Sequence, residues 1–387
     1  MSFNQYTWDL YKQTTIGIEM IKYFSDAGGY VSFKDYCPYA NFIPEDLYND
    51  WLENIYCYGV SDYDHPSSLE EAKDLYISLI TLGIRVEGQQ WLPANDFKNM
   101  LGIIQPMSYV LSQFAPEYFF PYLFLCRIFE LNKIADFFNI DLPNIPKRTD
   151  YKGRCMYYWE LCEVFYLFRK ENGLSPADLW SFLYDFAPNN LPSEKIDMPK
   201  PSQVWFIGGR LYQEDKSLES KFWQSSPETK KGDILVHYET SPISAITCIE
   251  ISLTDGVIDP LFRYYGCIYI GNRINIPHIT LKELQTDEYF FKHPLVRKNF
   301  QGVNGWSVNS ENYSELLRMI KTKGFDIEVL PKLYAPTLPK DVIIEYEHDV
   351  EQQLLEPLLN SMGWYENKDF IRQLPIQAGR GHRDRKS

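Results

Sequence analysis

No apolar run in this chain is long enough to cross a bilayer. The nearest approaches, Tyr56–Ile80 and Tyr118–Ile140, are both broken by charges. The opening residues Met1-Ser2-Phe3-Asn4-Gln5 carry no basic segment followed by an apolar one, so they do not read as a secretory signal. The seven cysteines are odd in number and form no Cys-x-x-Cys pair. That argues against a zinc ribbon or a disulfide framework and for reduced, structural thiols in a cytoplasmic setting without a membrane. Histidine is scarce as well. His65 is the only one before His237, and in Tyr63-Asp64-His65-Pro66 it reads as a loop residue. The first 195 residues lack a Gly-rich phosphate loop, a Gly-x-Ser-x-Gly elbow and a His-Glu-x-x-His pair. They offer no catalytic constellation.

Aromatics and acids are plentiful. With 387 residues, 45% of them hydrophobic and 16% aromatic, the chain can bury sizeable cores in about two or three domains. The formal net charge is −14. It is unevenly placed: −11 over residues 1–200, −2 over 201–330, −5 over 331–367 and +4 over 368–387. The middle region is therefore near neutral. Contact with a phosphate backbone there has to come from a local patch, Lys292, His293, Arg297 and Lys298. A near-neutral surface suits the capture of a single extruded base better than long tracking of a strand.

Three regions follow from patterning, an α+β, multidomain organisation. Residues 1–198 read as mainly helical. Ser67-Ser68-Leu69-Glu70 looks like a capped start with Ser67 as the cap, and Ser175-Pro176-Ala177-Asp178 repeats the device. Tyr109–Phe138 and Tyr157–Phe168 carry the dense three-and-four spacing of buried helices, separated by proline breaks at Leu142–Pro146 and Leu191-Pro192. Ile196–Ser202, with Pro199 and Pro201, reads as a linker. From there the pattern changes to short β-branched runs: Val204–Ile207, Asp233–Tyr238, Ile246–Ile251, Ile268–Ile270 and Ile274–Ile276. Helical signals return at Leu281–Leu284 and at Ser310–Ile320, with Ser310 as cap. Many short strands and a few helices predict a small mixed β-barrel over residues 202–328.

The same region carries a motif series. Trp205-Phe206-Ile207-Gly208-Gly209-Arg210 is followed by Phe222-Trp223-Gln224 and by Lys230-Lys231-Gly232-Asp233-Ile234-Leu235-Val236-His237-Tyr238-Glu239-Thr240. Phe300-Gln301-Gly302-Val303-Asn304-Gly305-Trp306 closes it. In order, spacing and residue type this resembles the EVE branch of the PUA-like superfamily over residues ~202–325. The resemblance implies a barrel that accepts a modified base in an aromatic pocket. It points to Trp205, Trp223, Tyr238 and Trp306 as aromatic positions and to Thr240, Ser241, Gln301 and Asn304 as readers of the base edge. Trp205 is equally a core residue on its pattern. Gly232-Asp233 and Asp259-Pro260 read only as turns. Lys292, Arg297 and Lys298 are the expected phosphate contacts.

A second resemblance lies in residues ~340–387. Glu347-His348-Asp349-Val350-Glu351, then Leu354-Leu355-Glu356-Pro357-Leu358-Leu359, Gly363-Trp364 and Gly379-Arg380-Gly381 resemble the opening of the nuclease domain in type I restriction motor subunits. The resemblance implies that Glu347, ten residues before Pro357, is a metal-linked carboxylate, with Glu351 the second choice. The resemblance calls for an Asp-Tyr pair soon after Gly379-Arg380-Gly381 and then a Glu/Asp-x-Lys triplet on a strand; no Asp-Tyr pair follows and Asp384 lacks an apolar strand after it, so residues 338–387 read as an incomplete nuclease-like segment. Metal-assisted cleavage needs converging carboxylates, so this chain is expected to bind no metal or cofactor, with Mg²⁺ engaged only if a complete nuclease domain is supplied in trans. The expected function is a reader of a modified base in DNA within a modification-dependent restriction system. Modified RNA, a nuclease completed by a partner chain and a protein-interaction scaffold are the alternatives.

Overall fold

A computed structural model describes residues 3–25, 60, 63–86, 89–192, 198–210, 220–334, 344, 346–362, 364–371, 375–378 and 382–385. The chain divides into two compact units. One comprises Met1–Glu194 with Ile258–Tyr265, and the other Lys195–Val257 with Gly266–Ser387. In its coarse class the structure is α+β. The first two residues of the expected linker beginning at Ile196 lie outside the described residues, as do Arg372–Leu374 and Gly379–Gly381.

Among its described residues, the first unit is helical apart from a hairpin of β1 (Ile84–Val86) and β2 (Gln89–Leu92). Its longest helix, Tyr151–Glu171, starts where Asp150 accepts from the Gly153 amide. It buries Tyr157, Tyr158, Trp159, Leu161 and Phe165. Rings interlock around it: Tyr158 lies 5.5 Å from Tyr76 and 5.7 Å from Phe120, and Trp159 meets Phe119 edge-on at 5.7 Å. The aromatic-rich stretches are thus core, each ring removing a large apolar area from water. Ser175 forms the expected capping box with Asp178 at the helix Pro176–Ser181. At the earlier helix, Leu69–Leu82, the cap is Ser68 and not Ser67. Ser67 donates instead to the Glu71 carboxylate at 2.7 Å, so the reciprocal bonds are kept with the roles moved by one residue. His65 stacks on Phe114 at 4.1 Å.

The second unit is built on a seven-stranded mixed sheet. Its strands are β3 (Val204–Gly209), β4 (Ser220–Gln224), β5 (Ile234–Glu239), β6 (Ala245–Ser252), β7 (Val257–Ile258), β8 (Gly266–Thr280) and β9 (Trp306–Val308). The spatial order is β4-β8-β6-β5-β3-β9, with β7 on β8; β3 and β5 run parallel. Residues 268–270 and 274–276, expected as two strands, belong to the single strand β8. Register shifts opposite β6 absorb the irregularity between them, where Asn272 takes a left-handed φ of 52°. The sheet curls enough for the end of β3 to meet β4. A Cβ placed on Gly209 would lie 2.6 Å from Cζ2 of Trp223.

Two apolar layers lie on the two faces, as the two-residue alternation of strands requires. Val204, Phe206, Ile234, Val236 and Tyr238 join Ile246, Ile249 and the helices Leu281–Thr286 and Ser310–Thr322 in one core. Asn309, not Ser310, caps the latter helix by accepting from Asn312. On the opposite face Trp205, Ile207, Leu235, Ile268 and Ile270 pack with Trp223.

Candidate functional site on the concave face of the sheet

Trp223, from β4, stands at the edge of this second layer. Its neighbours on the same face are polar. The alternation that places Leu235 there continues to His237, whose ring lies 4.9 Å from that of Trp223 at an angle of 58°. His237 Nδ1 lies 3.0 Å from Glu250 Oε2, and the other oxygen of Glu250 accepts from Arg273 at 2.8 Å. The Lys221 ammonium sits 4.7 Å from the Trp223 ring. Glu239 follows two residues after His237 and pairs in register with Gly209, the residue against which Trp223 rests. His237, Glu239 and Glu250 are all buried.

Protonation follows from these contacts. Burial holds the His237 imidazole below its ordinary range, against the pull of Glu250. Burial pushes the Glu250 carboxyl up, but hydrogen bonding from His237 and the charge of Arg273 outweigh it and keep the group below the usual carboxylate range. The consistent state is a neutral histidine donating from Nδ1 to a charged Glu250 that is paired with Arg273. Nε2 of His237 is then a hydrogen-bond acceptor. It is buried and has no partner, as are Trp223 Nε1, Glu239 Oε1 and Arg273 Nη1. Four buried polar atoms without partners on one strand cluster depart from the usual near-complete satisfaction of buried groups.

His237, Cys248 and Glu250 bring a nitrogen, a sulfur and an oxygen within 4.8 Å of one another, a donor set zinc accepts in kind. The local electrostatics favour another use. Both Glu250 oxygens are engaged, Arg273 adds positive charge beside them, and burial pushes the Cys248 thiol up to about 12, far from the thiolate a metal needs. His237, Glu250 and Arg273 form a hydrogen-bond network that orients His237.

The residues expected from the motif series are distributed as follows. Trp205 is buried, and its indole donates to Asp233 at 2.9 Å, which makes it core and not wall. Tyr238 lies on the opposite face from Trp223, stacked on Phe300 at 4.0 Å with the rings 3° from parallel. Trp306 packs half-buried against that same outer layer. The expectation that Trp223, Tyr238 and Trp306 wall one pocket is therefore corrected, because alternation sends positions 237 and 238 to different faces. Asn304 is not free to read an edge. Its Oδ1 accepts from Gly208 N at 2.8 Å and its Nδ2 donates to Gly208 O at 3.0 Å. Thr240 and Ser241 are exposed beyond the end of β5, and Gln301 is exposed in a turn. Lys292, Arg297 and Lys298 are exposed on the same short stretch as Gln301. His237, Glu239, Glu250 and Arg273 were missed by motif reasoning. The signal was a pair of polar residues two places apart on each of two paired strands, His237-x-Glu239 on β5 and Cys248-x-Glu250 on β6.

Glu351 lies buried in a helical turn and joins no cluster of potential ligands among the described residues; Glu347 opens a helix, and its side chain lies outside the described residues. The neighbouring segment is anchored to the loops of the sheet unit. Lys230 pairs with Asp369 and lies 4.7 Å from the Trp364 ring, while Lys368 bonds Asp255 at 2.6 Å.

No protein-family model and no curated protein matches the chain. Three solved structures are similar to part of it. An NMR structure of a protein from Rhodopseudomonas palustris shares 14% identity at a TM-score of 0.27, covering 31% of this chain and 94% of that one. A crystal structure of a protein from Agrobacterium tumefaciens shares 17% at 0.29, covering 35% and 100%. A hypothetical protein from Leishmania major shares 12% at 0.27, covering 32% and 98%. Likeness at this level transfers no function.

Proposed function

We propose that this protein reads a modified base in nucleic acid, with DNA as the substrate, by holding one extruded base on the concave face of the sheet. The observation that carries the proposal is the Trp223 ring flanked by partnerless buried polar atoms of both kinds. An indole face offers stacking to any base. Beside it, Trp223 Nε1 and Arg273 Nη1 are donors, and His237 Nε2 and Glu239 Oε1 are acceptors. A planar ligand with donors and acceptors on its edge would satisfy all four, whereas an apolar ligand would leave them buried and unpaired at a cost of about 1–3 kcal/mol each. Of the motif series resembling EVE domains, Trp223 is the aromatic that stands at this face, and it supports the same reading. Lys292, Arg297 and Lys298 are the cations proposed to hold the flanking phosphates. Modification-dependent restriction is the proposed setting, with any cleavage delegated to a partner nuclease chain.

Extrusion costs a few kcal/mol of stacking, which a base held by one wall and four hydrogen bonds can offset. The test is binding to short duplexes identical except for one base, unmodified, methylated or hydroxymethylated, at fixed salt. One modified duplex is expected to bind best, and Trp223→Ala to weaken it by about 1–3 kcal/mol. Equal, salt-sensitive binding to every duplex would overturn the proposal. Stronger binding to the same base in RNA would move the substrate and keep the pocket.

A further inference from the structure

In a chain of net charge −14, the run from Tyr289 to Ser310 contains no Asp or Glu, while Lys292, Arg297 and Lys298 bring three cations. All three are exposed, and none makes an ion pair among the described residues. His293 adds no charge at neutral pH, because burial holds its imidazole below the ordinary range. Beside the cations stands Phe291, 47% exposed, with the Lys292 ammonium 5.1 Å from its ring.

The mounting of this ring is rigid. Phe290, its neighbour in the chain, is anchored in the core with Leu295, Val296 and Phe300. The amides of Tyr289 and Phe290 both donate to Asp287 Oδ1 at 3.0 Å, and Arg318 holds the other oxygen of Asp287 at 2.7 Å. His293 N donates to Phe290 O at 2.9 Å and closes the turn Phe290–Lys292. Further on, Phe300 N donates to Leu295 O at 2.7 Å, and Gln285 donates to the Asn299 side chain at 3.0 Å. Ring and cations thus stand on one braced segment, which leaves a ligand little ordering to impose.

An open aromatic face beside unpaired cations matches the two halves of a nucleotide, a base for the ring and phosphates for the charges. Stacking on a side chain needs a base freed from its neighbours, which an intact duplex does not offer. A membrane surface would ask for a continuous apolar face, whereas Phe291 is flanked at the surface by Lys292, Pro294 and Arg297. We infer that Phe291, with Lys292, Arg297 and Lys298, holds one unstacked nucleotide of a single strand. This rests on the nucleic-acid reading above but not on its pocket. Phe290 and its neighbours pack in the layer opposite Trp223, so the nucleotide on Phe291 is not the extruded base.

Fluorescence anisotropy with the full chain tests this, using a labelled oligothymidylate of about a dozen nucleotides and a blunt duplex of the same length at fixed low salt. The single strand should bind more tightly than the duplex. Phe291→Ala, an exposed change whose fold circular dichroism confirms, should weaken the single strand about tenfold. It should leave the salt slope unaltered, since no charge is lost, and Phe291→Trp should keep native affinity. Lys298→Ala should instead make the slope shallower by about 0.7. Equal affinity for the duplex, or unchanged affinity in Phe291→Ala, overturns the inference and leaves the Trp223 reading standing. Failure of the native chain to bind any oligonucleotide, modified duplexes included, overturns both. Phe291-dependent capture by phosphatidylserine vesicles without oligonucleotide binding would overturn both as well and give the patch to a membrane surface.

Discussion

Asp233 shows how much a single buried carboxylate organises here. It accepts from the Trp205 indole at 2.9 Å, from Lys230 N at 2.8 Å and from Gln203 N at 3.1 Å. Gly232, with φ at +92°, makes the turn that delivers it. In the sequence Gly232-Asp233 reads only as a turn, because nothing local announces donors that arrive from residues 203 and 205. Asp233→Asn would place an amide where Trp205 and Lys230 both donate. It should cost about 2–3 kcal/mol in urea unfolding. Asp259 gives a pH signature. Burial raises its carboxyl from the ordinary 3.8 to about 7. A carboxyl raised on folding contributes stability that is present below about pH 4 and lost as pH rises through about 7. Asp259→Asn keeps the acceptor and cannot ionise. It should therefore be more stable than the native chain by a few kcal/mol at pH 8, with the gap closing by pH 4 in parallel denaturant titrations.

Helix starts and strand cores were legible at the level of elements, because both depend on neighbours in sequence. Ser175 is such a case, and Ser175→Ala should lower stability by about 1 kcal/mol, read as a shifted urea midpoint. The glycine pair ending β3 depends on distant partners. A Cβ on Gly208 would meet Val303 Cγ1 at 2.4 Å, and one on Gly209 would meet Trp223. Neighbouring strand residues face opposite ways, so the pair lets one strand end approach both layers at once. Asn304 clasps Gly208 from both sides and thereby holds Gly209 against the proposed wall. Gly209→Ala should displace the Trp223 ring and weaken base binding about tenfold while circular dichroism stays native. Unaltered affinity would place the wall elsewhere.

The whole-molecule charge of −14 limits how nucleic acid can be held. With Lys292, Arg297 and Lys298 as the phosphate contacts, log affinity against log salt should fall with a slope of about −3 or shallower. A slope near −6 would mean that charge, not a pocket, dominates, and titrations from low to physiological salt decide it. The C-terminal segment belongs to this scale too. Lys230 is buried and pairs with Asp369, so Asp369→Ala leaves an unpaired ammonium. Residues 364–371 should then become sensitive to limited proteolysis under native conditions. Motif resemblance marked this segment as nuclease-like, yet its contacts with Lys230 and Asp255 could not be foreseen, because they join positions more than a hundred residues apart.

From sequence alone came the properties that rest on composition and short-range order: a helical first half, a change to strands near residue 204, the capping box at Ser175 and the aromatic core. The α+β class follows from these. Tertiary structure alone decided which aromatics share a face. The series Trp205, Trp223, Tyr238 and Trp306 is close in motif, but the pleat separates Tyr238 from Trp223 by sending adjacent side chains to opposite faces of β5. The same pleat gathers His237, Glu250 and Arg273 from three strands. No short-range pattern encodes that meeting, since it depends on the sheet's strand order and on register shifts at β6 and β8.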